Sequence, residues 1–474
     1  MRLDATLSVV TAVGVLLAAP QAATPPARPG LAAAAPAAAG IPGLRAAHDS
    51  TPGNPPPTPA QCVQDFGVVC YSPRQIEDAY DLGGLYASGY RGQGRTIVIV
   101  DPFGSPTIQP DLTTFDDAFG LPAPPSFKIL QPVGPVPPFD PGNQQMVDKA
   151  AETTGDVEWA HAIAPGANIL LVETPTPETI TGGGFPQLIA AENYVIAHDL
   201  GDVISQSFSI PEQNFPNRSS LLGLRYAYLN AFRHQVTVLA GSNDYGVSGP
   251  TPAGTHYQHP VVYWPASDPL VTGVGGTELS LNAAGDRTLP DSAWNDTYNV
   301  AVAGLFGVLP PLPWASGGGL STVFTRPGYQ RLVRTTVGNH RGVPDVAMSA
   351  SFSGSVLIFE SFTGAPGFWG PAGGASEAAP EFAGVVAIAD QYARKRLGLV
   401  NPALYRLARG HAPGIVDVTQ GNNTVGFVES GTTFTVNGYP ARRGYDLVTG
   451  VGTVDAGRLV PELSAQPQSA TAAG

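Results

Sequence analysis

Apolar and polar residues alternate along this chain in blocks that predict strand and helix in turn. Thr96-Ile97-Val98-Ile99-Val100-Asp101 is an unbroken apolar run ending in an acid, the pattern of a strand buried on both faces. Residues 168–172, 202–207 and 236–240 read the same way. Helical spacing predicts helices over 72–88 (presenting Ile76, Ala79, Tyr80 and Leu85), 144–163, 186–198 and 221–234. Pro165-Gly166 ends the second of these. A last Ala-rich segment, 383–393, follows Gly373-Gly374 and reads as a buried helix. This alternation predicts an α/β fold, a parallel sheet with helices on both faces in a single large domain.

The ends of the chain read differently. Met1-Arg2-Leu3-Asp4 and the apolar run 7–19 predict a secretory signal peptide over 1–23, although Asp4 is atypical there. The run is too short to span a bilayer comfortably, and no later stretch reaches that length. Residues 24–60 are rich in Ala and Pro and predict a disordered leader or short propeptide. The folded domain is expected over 61–462 and a disordered tail over 463–474. The chain is therefore expected to be secreted and extracellular, a monomer, with no membrane contact after signal cleavage. A net charge of −13, with three lysines against 21 arginines, argues against nucleic acid as a partner. Cys62 and Cys70 suit a local disulfide in an exported protein; two buried thiols are the other reading.

Three segments carry candidate chemistry. In Gly373-Gly374-Ala375-Ser376-Glu377-Ala378-Ala379-Pro380, small residues lead to one serine at the first turn of a helix. Unpaired helix N–H groups there favour negative charge developing beside its hydroxyl, although an ordinary serine cap has the same pattern. Within the 144–163 helix, i, i+4 spacing puts Glu152 and Asp156 on one face, with Asp148 on the same stripe. Like charges at that spacing, with Thr153, Thr154 and Gly155 between them, work against the helix. Such local conflict marks either a functional site or a solvated acidic face. Third, the strand at 236–240 runs into Gly241-Ser242-Asn243-Asp244, which places an acid where α/β sheets bind ligands, or simply a turn aspartate.

Together these segments resemble the sedolisin family of serine-carboxyl peptidases, a branch of the subtilisin-like fold. The family's Gly-Thr-Ser-x-x-x-Pro signature is matched by Gly374, Ala375, Ser376 and Pro380, with alanine where threonine is usual. Its Glu-x-x-x-Asp is matched by Glu152 and Asp156, and its oxyanion-site aspartate by Asp244. Tyr263-Trp264-Pro265-Ala266-Ser267, Val274-Gly275-Gly276-Thr277, Ser316-Gly317-Gly318-Gly319 and Val343-Pro344-Asp345-Val346 extend the likeness from about Cys70 to Val460.

The resemblance implies a serine endopeptidase acting on proteins or peptides in acid. Ser376 is the nucleophile and Glu152 its base, since glutamate (reference pKa about 4.3) still accepts protons where histidine no longer does. Asp156 is expected to share a proton with Glu152 and orient it. Protonated Asp244 and the Ser376 amide are expected to hold the oxyanion. The resemblance also implies one structural Ca²⁺, held by the carboxylates of Asp417 and Asp446 and the carbonyls of Val418, Arg442 and Gly444. Two departures stand out. Family members carry a long folded prosegment, which residues 24–60 do not resemble, and Ser209 stands where a substrate-flanking strand usually has glycine. Two rival readings are an inactive, binding-only relative and a Ser-His-Asp peptidase using Asp101. None of the eight histidines has the setting such enzymes use, and His161 reads as structural.

Overall fold

The computed structural model describes residues 55–364 and 366–467. The signal peptide at 1–23, the leader up to residue 54 and the tail from residue 468 lie outside the described residues. The apolar run at Thr96–Pro102 (β1) forms an interior strand, buried along nearly its whole length. Phe127–Leu130 (β2), Asn168–Thr174 (β3), Val203–Gln206 (β4), Thr237–Gly241 (β5), Thr272–Glu278 (β6), Ser292–Ala293 (β7) and Val346–Ser349 (β8) complete an eight-stranded sheet. Its order is β7-β6-β5-β4-β1-β3-β2, with β8 also paired to β6. Only the β6–β7 pairing is antiparallel.

A parallel sheet brings its carboxyl ends to one edge. Here that edge carries Asp101 from β1, Gln206 from β4 and Gly241 from β5. Ligands bind at this edge in open α/β sheets, because loops there are free to vary above a rigid base.

Two helix pairs pack on the sheet: Gln144–Ile163 (α1) with Ala375–Ala393 (α4), and Phe185–Ala197 (α2) with Tyr226–His234 (α3). Helix α1 has the bounds its spacing predicts, and from Met146 to Ile163 all but Asp148 is buried. Burial, rather than local propensity, holds its weak helix formers in place. Two glycines set how closely α4 approaches. A Cβ on Gly384 would lie 2.6 Å from Ile163 Cγ2 of α1. One on Gly241 would lie 2.9 Å from the Ala375 carbonyl oxygen. Both contacts are too short for a side chain, so glycine fixes the seat of α4 on α1 and β5.

The structure departs from the sequence reading in four places. The expected helix over 72–88 is two, Pro73–Ala79 and Gly83–Ala87, broken where Asp81 adopts a φ of 57°. The one expected over 221–234 breaks at Gly223 into Arg218–Leu222 and α3. The leader's last residues are not disordered. A helix spans Pro59–Phe66, opened by a Thr58/Gln61 capping box and stopped by Gly67 at φ 81°. The final helix, Ala456–Ser464, runs past the expected boundary at 462. Cys62 and Cys70 are disulfide-bonded, with Cα atoms 5.9 Å apart, and tie the first helix to the strand Val69–Tyr71. Among the described residues no helix is long and apolar enough to cross a membrane.

Candidate active site

Helix α4 begins in a turn that only glycine fills comfortably. Gly374 has φ 109°, its amide donates to the Ala350 carbonyl at 2.7 Å, and a Cβ on Gly373 would meet that same oxygen at 2.8 Å. The turn delivers Ser376 to the first turn of α4, where its hydroxyl donates to Glu152 Oε1 at 3.0 Å. The nucleophile and base expected from sequence are therefore in direct contact.

Glu152 has a second partner that the sequence reading missed. The buried ammonium of Lys149, one turn earlier on α1, donates to Glu152 Oε2 at 2.6 Å and to Glu178 Oε1 at 2.6 Å. Both carboxylate oxygens of Glu152 are thus engaged. Asp156 remains electrostatically coupled to the site. Burial, then the charges of Asp101 and Glu152, pushes its carboxyl well above the usual range, with the Ser207 hydroxyl beside it. Asp101 at the end of β1 is also buried and pushed well up, by burial first and then by the charge of Glu152. In sequence Asp101 belonged only to the histidine-triad alternative; the fold puts it beside the carboxyl pair.

Asp244 follows β5 on a turn that is locked from both sides. Asn243 holds φ 99°, and its side chain accepts from the Tyr245 amide at 2.5 Å. Asparagine tolerates positive φ because its side chain can bond the local backbone. The segment Ala315–Gly317 clamps the turn. Ala315 N donates to Asp244 O, Gly317 N donates to Asn243 O (both 2.9 Å), and Ser242 Oγ donates to Gly317 O at 2.7 Å. So held, Asp244 Oδ1 accepts from the Ala375 amide at 2.6 Å, one residue before the nucleophile.

No family model matches the chain. Individual relatives do. Kumamolisin of Bacillus sp. (strain MN-32) is 29% identical over 414 residues, covering 84% of this chain and 65% of that protein. Sedolisin of Pseudomonas sp. (strain 101) is 30% identical over 284 residues, 59% of this chain and 43% of that protein. A solved Pseudomonas sedolisin, a serine-carboxyl proteinase complexed with two molecules of pseudo-iodotyrostatin, aligns with a TM-score of 0.67 and 25% identity. That alignment covers 84% of this chain and 99% of the solved one. The chain is similar to these sedolisins in sequence and in fold. Its mostly parallel α/β sheet matches the subtilisin-like fold of that neighbour. The chain spans less than two thirds of the length of these two curated relatives.

The chain's other motifs are architectural. Buried Asp345 accepts from Arg341 Nη1 at 2.7 Å, from the Gly273 amide at 2.8 Å and from Tyr405 at 2.9 Å, tying β6 to β8. Ser316 Oγ donates to the Val448 carbonyl at 2.8 Å and accepts from the Gly276 amide at 3.0 Å. Ser209 is buried just before the strand Ile210–Pro211. His161 is fully buried, with Nε2 2.8 Å from the Pro122 carbonyl and 3.2 Å from Asp116 Oδ1, the structural placement its sequence suggested.

The residues expected at calcium converge on one loop. Asp446 Oδ2 accepts from Arg442 N at 2.8 Å, and both oxygens of Asp417 accept from Gly444 N, at 3.1 and 2.9 Å. Val448 and Thr449 amides anchor Asp446 Oδ1. Among the described residues no amide donates to the carbonyls of Val418, Arg442 or Gly444, and no group of three His, Cys, Asp or Glu side chains is gathered for a metal. Carboxylate and carbonyl oxygens are donors of the kind Ca²⁺ takes and a soft metal does not.

Proposed function

We propose that this chain is a secreted, acid-active serine-carboxyl peptidase that hydrolyses peptide bonds in proteins or peptides. The observation that carries the reading is the 3.0 Å hydrogen bond from Ser376 to Glu152, with Asp244 held on the neighbouring amide. Glu152 takes the proton of Ser376 as the hydroxyl attacks the carbonyl carbon, and returns it to the leaving amine. The same Glu152 then activates the water that releases the acyl group.

Asp244 is suited to stabilise the intermediate only when protonated. Its Oδ1 accepts from Ala375, and a protonated carboxyl so placed can donate toward the oxyanion beside the Ser376 amide. An ionised Asp244 would repel that oxyanion, so activity belongs to acid. Ala375 does not weaken the reading, because the contact uses its backbone amide, which threonine would supply equally. The Ser376 hydroxyl bonds Glu152 and His161 is buried between Pro122 and Asp116, which speaks against the histidine-triad alternative. Asp417 and Asp446, with the carbonyls of Val418, Arg442 and Gly444, would hold a structural Ca²⁺ that ties the C-terminal loops together.

The test is a pH–activity profile on denatured protein substrate, with Ser376→Ala as control. Hydrolysis confined to acid and abolished in the control is expected. A neutral optimum, or hydrolysis surviving in the control, overturns the reading.

A further inference from the structure

Lys149 is one of three lysines in the chain, and its side chain is only 5% exposed. A buried ammonium is strongly unfavourable unless paired, and removing one partner of such a pair strands the other charge. Lys149 Nζ lies 2.6 Å from Glu152 Oε2 and 2.6 Å from Glu178 Oε1, on the loop after β3. Its bond to Oε2 leaves Glu152 Oε1 facing Ser376.

The charged groups around Glu152 come from three elements. Asp148 and Asp156 lie on its own helix, Asp101 comes from β1, and Glu178 from the loop after β3. Lys149 is the cation among these described neighbours. Burial pushes Asp101 and Asp156 well up, Asp148 to about 6 and Glu178 to about 7. In acid these four lose their charge, while the ammonium of Lys149 stays set against Glu152 Oε2. Protonated Glu178 still accepts from Lys149 through its carbonyl oxygen, so the clamp keeps its shape.

We propose that Lys149 is a positioning residue that clamps Glu152 with Oε1 toward Ser376 and keeps it ionised in acid. This rests on the peptidase reading. Once Glu152 carries a proton it cannot take one from serine, so the ammonium sets how far into acid catalysis extends. The competing role is a structural tie between α1 and the 176–184 loop, which would leave the pH profile where it is.

Three variants separate the two. Lys149→Met keeps the stem and removes the charge. The acid limb of kcat/KM is expected to move toward neutral by roughly one to three pH units, the usual effect of one close opposite charge. Lys149→Arg should return it most of the way. Glu178→Gln keeps an acceptor for Lys149 and removes a group already neutral in acid, so the acid limb should stay in place. Should Lys149→Met fail to fold with Glu178 stranded, the double variant Lys149→Met/Glu178→Gln removes that buried anion and should show the same shift. A folded variant lacking Lys149 with an unmoved acid limb overturns the proposal. Carboxyl-¹³C NMR of glutamate-labelled protein, with Glu152 assigned against Glu152→Gln, reads the ionisation without activity. A raised Glu152 midpoint in a protein that hydrolyses nothing sinks the peptidase reading alone. An unmoved midpoint in an active enzyme sinks the Lys149 assignment alone.

Discussion

Asp244 Oδ1 and the Ala375 amide are 2.6 Å apart, which makes the oxyanion acid and the turn beneath the nucleophile one unit. Asp244→Asn keeps an acceptor for that amide and an N–H donor for the oxyanion, but cannot ionise. Some activity should survive and decline less steeply toward neutral pH. Asp244→Ala removes the donor and strands the amide, with an expected loss of ~10²–10³ in kcat. Steady-state kinetics from pH 3 to 7 compare the two. Equal losses with parallel pH profiles would remove Asp244 from the oxyanion site.

Ser376→Ala should abolish turnover, and Glu152→Gln should come close, because an amide cannot accept the serine proton. Asp156→Asn should cost much less in kcat. Burial pushes its carboxyl well above the usual range, so in acid it is neutral and asparagine keeps its shape. Its signature should be a displaced neutral limb of the pH profile, where the carboxyl would otherwise ionise. A loss as large as that of Glu152→Gln would mean that Asp156 takes part directly in proton transfer.

These contacts show what could be read from residues in order. Helix α1, the strand ends and the glycine turn before Ser376 were legible, because periodicity and small-residue runs are local signals. The Glu152–Ser376 contact spans 224 positions and became readable only through the family likeness. Lys149 carried a faint signal, an i, i+3 neighbour of Glu152 of opposite charge, but whether it faced solvent or Glu178 depended on how the 176–184 loop folds back. Asp101 was visible as a strand-end acid, yet its nearness to Asp156 and Glu152 follows from sheet order. The helix breaks near Asp81 and Gly223 were missed because apolar spacing continues across them.

The fold should be most stable in acid. Glu192 on α2 is fully buried, and burial alone pushes its carboxyl well above the ordinary range. Glu377 and Glu381 are pushed up likewise, burial leading in both. For a carboxyl whose folded pKa is raised, the unfolded chain releases its proton first. Stability is therefore full below about pH 4 and falls as pH climbs from there toward the folded value, by about 1.4 kcal/mol per pH unit for each group. Melting temperature should drop between pH 4 and pH 7, and Glu192→Gln, remote from Ser376, should flatten the drop. An identical pH dependence in the variant would mean that Glu192 is ionised in the folded protein.

Cys62 and Cys70 close a short loop that pins the first helix to the strand Val69–Tyr71. Loop-closure entropy at this length is worth about 2–3 kcal/mol. Cys62→Ser/Cys70→Ser should lower the melting temperature by a corresponding few degrees. Reduction should do the same to the native chain and nothing further to the variant. A variant as stable as the native chain would show that this corner adds nothing to global stability.

Calcium gives the most discriminating test of the C-terminal loops. A ligand that binds only the folded state stabilises it by RT ln(1 + [L]/Kd), about 2.7 kcal/mol at a hundredfold excess over Kd. Chelation should therefore lower the melting temperature. Asp446 is a poor residue for proving this, because its carboxyl also accepts from the amides of Arg442, Val448 and Thr449, so Asp446→Ala should destabilise even without metal. Asp417 is exposed and among the described residues its carboxyl bonds the Gly444 amide alone, so Asp417→Asn should cost little in chelator. What Asp417→Asn should lose is the increment that added calcium gives the native chain. Melting curves of the three proteins, each with excess chelator and with excess Ca²⁺, separate the two effects. The same calcium increment in Asp417→Asn as in the native chain would place any ion elsewhere. No increment in the native chain would leave Asp417 and Asp446 as loop caps.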